Sequence, residues 1–111
     1  MLFRSAITQA LIDAEADVNA PDVRGNTALM WASANGHESV VRALVRARAE
    51  IDVSNDGGFT ALMRASFSGR TEGVRYLITA GANSYLVDLD GQTALMKAAA
   101  EGHTQIGRAH V

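Results

Sequence analysis

The side chains capable of chemistry are few, and their spacing decides most of what they can do. His37 and His103 lie 66 residues apart with Arg70 midway between them. Three positions at one interval occupy one repeated place in a fold, so the two imidazoles do not converge on a site. The chain has no Cys, which removes disulfides, thiolate metal sites and a Cys nucleophile. No Ser, His and acid arrangement suggests a triad, and the His count alone does not supply a metal site. Asp88-Leu-Asp-Gly91 opens like a calcium loop, yet the twelfth place, which needs a bidentate carboxylate, is Ala99. Asp56-Gly-Gly58 lacks the Gly-Lys-Ser/Thr ending of a phosphate loop. Both segments read as turns, and the expectation is a non-enzymatic chain without metal or cofactor.

Composition narrows the remaining classes. At 111 residues the chain is one domain or a fragment of one. Its 10 Lys and Arg against 12 Asp and Glu leave a net charge of −2 and a pI near 5.8, so it lacks the basic excess that draws a protein to nucleic acid or an anionic membrane. The longest charge-free stretches, Gly25 to His37 and Tyr76 to Val87, are thirteen and twelve residues, short of the ~20 apolar residues of a spanning helix, so no membrane insertion is expected. The opening ten residues carry Arg4 and no sustained apolar core, unlike a secretory signal. Absence of Cys fits a reducing compartment, and the expected location is intracellular, cytoplasmic or nuclear.

The elements that position these residues come from internal repetition. Thr-Ala-Leu-Met occurs at 27, 60 and 93, an interval of 33, and residues 22–54 and 55–87 share thirteen identities in 33. Within each period the pattern runs turn, short helix, Gly, longer helix, loop. Gly25, Gly58 and Gly91 mark the turns. Thr27, Thr60 and Thr93 stand at helix starts, where a hydroxyl takes a first-turn N–H. A first helix is predicted over Ala28 to Asn35, with Leu29 and Ala32 on one face and the small Ala32, Ala65 and Ala98 admitting a neighbouring helix. Gly36, Gly69 and Gly102 end that helix. A second is predicted from about Glu38 to Ala47, with Val40, Val41, Leu44 and Val45 in one stripe, repeated by Ile7, Leu11 and Ile12 and by Val74, Leu77 and Ile78. Each two-helix unit has little core of its own and must bury its apolar face on the next.

This order at a 33-residue period resembles the ankyrin repeat over almost the whole chain, most specifically in Asp22-Val-Arg-Gly-Asn-Thr-Ala-Leu-Met, Asn35-Gly-His37 and Ala16-Asp-Val-Asn-Ala20. The resemblance implies an all-α solenoid of stacked helix-turn-helix units with β-turn tips. Residues 1–21 supply the second helix and loop of a truncated repeat, 22–54 and 55–87 are full repeats, and 88–111 are a truncated last one. Two departures stand out. The family's Thr-Pro-Leu-His is Thr-Ala-Leu-Met here, which predicts weaker local order at the turn. The Gly after the second helix survives only as Gly81, so Glu15 and Arg48 are expected to serve as left-handed caps at a cost of about 1 kcal/mol each. His110 replaces the Leu that Leu11, Leu44 and Leu77 lead one to expect, and residues 106–111 resemble one reading frame of a sequencing adaptor. Uncapped ends predict marginal stability or self-association.

The stack leaves turn tips and first helices along one concave edge. Family members commonly bind another protein there, and the matching residues are Val23, Arg24, Asn26, Ala34 and Asn35, then Asp56, Phe59, Phe67 and Ser68, then Leu89, Asp90 and Gln92. Phe59 and Phe67 are expected anchors, having Asn26, Gln92, Ala34 and Ala100 as counterparts. Trp31, aligned with Arg64 and Lys97, is expected to be half exposed. The chain is thus read as a non-catalytic protein-binding scaffold. The alternatives are a regulatory or targeting segment of a larger enzyme or channel, and a small-ligand or nucleotide sensor using Arg24, Phe59, Arg64 and Lys97. The basic edge of Arg42, Arg46 and Arg48 reads as a solvated outer face. Leu11 to Asn19 resembles the sequence that asparaginyl hydroxylases accept in ankyrin loops, which marks Asn19 as a hydroxylation site.

Overall fold

The structure is a computed structural model and describes residues 17–103. The expected helix over residues 4–14, the cap at Glu15, His110 and the segment 106–111 lie outside the described residues. Among those described, five helices follow in order: α1 (Ala28–Asn35), α2 (Glu38–Arg46), α3 (Ala61–Phe67), α4 (Thr71–Thr79) and α5 (Ala94–Ala100). None is long and apolar enough to cross a membrane.

Helix starts follow from the threonines. The Oγ1 atoms of Thr27, Thr60 and Thr93 accept the N–H of Met30, Met63 and Met96 at 3.4, 3.3 and 3.2 Å. Helix ends follow from left-handed residues. Gly36, Gly69 and Gly102 hold φ between 71° and 74°. The next N–H then reaches back five residues, from His37 to Ala32, Arg70 to Ala65 and His103 to Ala98. The same closure ends α2 and α4, with Ala49 N–H on Leu44 and Ala82 N–H on Leu77. There the left-handed place is taken by Gly81 in one unit and by Arg48, at φ 67°, in the other.

Helices of seven to nine residues do not stand alone in water, so packing must hold them. α1, α3 and α5 pack in succession as one layer, while α2 returns along α1, α4 along α3, and α2 meets α4 in a second layer. Leu29, Met30, Ala32, Val41 and Leu44 of one unit are buried with Leu62, Met63, Ala65, Val74 and Leu77 of the next, and Ala98 extends the core into α5. Each large side chain so buried contributes about 1.5–3 kcal/mol. The Ala32, Ala65 and Ala98 row is buried throughout, as close helix contact requires. Loss of the family's His has a use: Met30 and Met63 in its place are 1% exposed and join the core.

The turns are ordered by a device of their own. Asp22 Oδ1 accepts the N–H of Arg24 and Asn26, Asn55 Oδ1 those of Gly57 and Phe59, and Asp88 Oδ1 those of Asp90 and Gln92, all at 2.9–3.0 Å. Successive tips are joined by Asp56 N–H to Arg24 O, Leu89 N–H to Gly57 O and Asn55 Nδ2 to Asn26 Oδ1. Gly58 permits this approach, since a Cβ there would lie 2.9 Å from the Asp88 Cα.

Candidate functional site

The tips and the first-helix layer form a continuous edge whose backbone is pinned at both ends of α1 and α3. Arg70 Nε donates to Ala34 O at 3.1 Å, and His103 Nε2 lies 3.1 Å from Phe67 O. The residue after the helix-ending Gly69 and Gly102 thus ties down a terminal carbonyl of the preceding unit. This is the repeated place that His37, Arg70 and His103 occupy.

Most of the expected contact residues do face solvent. Val23 and Leu89 project from the tips, 98% and 78% exposed, with Arg24, Asp56, Asp90 and Gln92 beside them. Trp31 is 50% and Phe67 55% exposed. Asn35 is exposed and donates from Nδ2 to Trp31 O, while Ser68 is exposed and Ala34 partly buried. Asn26 is partly buried and committed to the tips, since it donates to Asp22 Oδ2 and accepts from Asn55. Asn19 is also engaged: its Oδ1 accepts Glu50 N–H at 2.7 Å, and the next unit repeats the link from Asp52 Oδ1 to Asn83 N–H.

Two residues depart from expectation. Phe59 is not an open anchor. It is partly buried against the core, and the Lys97 ammonium lies over its ring, 4.1 Å from the centroid. Lys97 in turn is only 5% exposed, because its Nζ sits 2.5 Å from Asp88 Oδ2. A long cation is buried here because a carboxylate neutralises it and an aromatic face covers it. The sensor cluster that counted Phe59 and Lys97 as free for a ligand therefore loses both. The Lys97 hydrogen bond, followed by the Gln92 N–H, holds the Asp88 carboxyl below its ordinary value of 3.8. Asp22 is lowered as well, chiefly by the N–H groups of Asn26 and Arg24.

The sequence signal for the buried pair is a register match between turn and helix. The turn residue at 22, 55 and 88 is followed nine places later by 31, 64 and 97 on the first helix. The pairs are Asp22 with Trp31, Asn55 with Arg64 and Asp88 with Lys97. Arg64 is partly buried with its guanidinium over the Trp31 ring, 5.4 Å from the centroid.

A family model described as ankyrin repeats in three copies matches residues 3–88. No curated protein matches the sequence.

Proposed function

Because the chain belongs to the ankyrin-repeat family, we propose that it is a non-catalytic binding module that holds another protein against the edge of tips and first helices, inside the cell in cytoplasm or nucleus. The observation that carries this reading is the exposure of Trp31 and Phe67, each with about half of a large aromatic surface presented to water, on helices whose two ends are hydrogen-bonded. Aromatic groups on a fixed backbone lose little entropy on association and are favoured anchors. The module serves equally as a scaffold by itself or as a regulatory or targeting segment of a larger enzyme or channel.

Photo-crosslinking tests the surface. A crosslinking amino acid at Asn35 is expected to capture defined proteins that the same group at Arg75, on the second-helix layer, does not. Purified partner should then bind the unmodified chain and lose about tenfold or more in affinity on Trp31→Ala with helicity retained. Adducts that form only from the Arg75 position overturn the reading.

A further inference from the structure

We propose that Arg64 is the anion anchor of this edge and that Trp31 and Phe67 flank it as apolar shelves, so that the occupant is an acidic protein segment carrying an apolar side chain beside a carboxylate. This rests on the binding-module reading and specifies its partner.

The inference comes from comparing equivalent places in two consecutive units. In one, Lys97 is matched by Asp88, its charge is met at 2.5 Å, and the ammonium is withdrawn from solvent. In the preceding unit the helix carries Arg64 at the same place, but the turn carries Asn55, a neutral amide whose Nδ2 donates to Asn26. The internal counter-charge is missing where a cation stands. Among the described residues the ion pairs are Arg75 with Glu72 and Lys97 with Asp88, and neither includes Arg64. The neighbouring carboxylate on the same edge, Asp22, is engaged by Arg24 N–H, Asn26 N–H and Asn26 Nδ2.

Arg64 is nevertheless held in place, because its guanidinium lies over the Trp31 ring, and among the described residues no hydrogen bond or ion pair engages its donors, which can meet a carboxylate in a paired arrangement. Phe67 follows Arg64 by three residues on α3, so the two share a helix face with Cβ atoms roughly 5–6 Å apart. A cation rests on one half-exposed aromatic with a second, one turn further along its own helix, which complements a carboxylate flanked by aliphatic or aromatic groups and repels a basic one. Ordering the guanidinium before binding also lowers the entropy to be lost.

The single Trp of the chain is Trp31, so its fluorescence reports on this place directly. A random peptide library displayed on phage, selected on the 111-residue chain, is expected to enrich Asp or Glu next to an apolar residue. Synthetic copies should shift Trp31 emission on titration. Replacing the peptide's acid by its amide, or Arg64→Gln in the protein, is expected to weaken binding roughly tenfold or more, with Arg64→Lys intermediate. Phe67→Ala should also weaken it, whereas Arg42→Gln on the other layer should not. Far-UV circular dichroism establishes that each variant is folded.

Selected peptides that lack acids, or that bind Arg64→Gln unchanged, overturn the acidic class and leave the binding-module reading standing. A Trp31 shift with inorganic phosphate or ATP and none with any peptide assigns Arg64 to small anions and overturns the proposal. A shift that depends on protein concentration alone assigns the place to a second copy and does the same. If no peptide reaches Trp31 and crosslinks arise only from the second-helix layer, both readings fail together.

Discussion

Arg48 adopts φ 67° at the end of α2, where Gly81 adopts φ 105° at the end of α4. A Cβ makes the left-handed region unfavourable, and Gly removes that penalty while adding freedom to the unfolded chain. Arg48→Gly is expected to raise stability by about 0.5–1 kcal/mol, read as an increase in the urea midpoint at constant slope. This residue was legible in the sequence, since register with Gly81 exposed the mismatch. Lys97 was not. Its environment is built by Asp88, nine residues earlier in its own turn, and by Phe59 from the turn before; the nine-residue register offers the first partner, while hydropathy and local spacing express neither the burial nor the second. Phe59 departs from its expected role for the same reason: in sequence it is an aromatic among polar counterparts, and only the fold sets the Lys97 cation over its ring.

At the scale of elements, the limits of the first helices were the most legible part because they are fixed locally by a hydroxyl at one end and a left-handed residue at the other. α1 spans Ala28–Asn35 as its pattern predicts, and α2 ends at Arg46, one residue short of the expected limit. Thr60 caps α3, which packs against both α1 and α5, so its loss is felt on two sides. Thr60→Ala is expected to cost about 1 kcal/mol in chemical denaturation, with Thr60→Ser recovering most of it. The turns were less legible. Substitution of the family's Pro and His predicted weaker local order there. The carboxylate or amide at 22, 55 and 88 instead accepts two N–H groups in every copy. A short polar side chain at the head of a turn has several possible roles, and only the backbone path selects this one.

Across the whole molecule, charge buried between units links stability to acidity. The Asp88 carboxyl is depressed in the folded protein, chiefly by Lys97, so its contribution is fully present above the ordinary carboxylate range. It is lost as pH falls through 3.8 toward the depressed value. The melting temperature is therefore expected to drop between about pH 5 and pH 2. Asp88→Asn should start lower at pH 7 and fall less over that window; an identical slope would show that the pair does not set it. Lys97→Met should likewise melt lower at pH 7, because it leaves a buried carboxylate without its cation.

The links between units run mainly from an early residue to one delivered later. The Ala34 carbonyl waits for Arg70, the Phe67 carbonyl for His103, the Arg24 carbonyl for Asp56, and Gly57 for Leu89. On a ribosome adding roughly 5–20 residues per second, each layer is left incomplete for about 2–7 s until its successor clears the exit tunnel. Translation speed thus sets how long raw helix ends and bare methionines are open to chaperones, and a slow codon run between two TALM segments lengthens that exposure without altering a single residue.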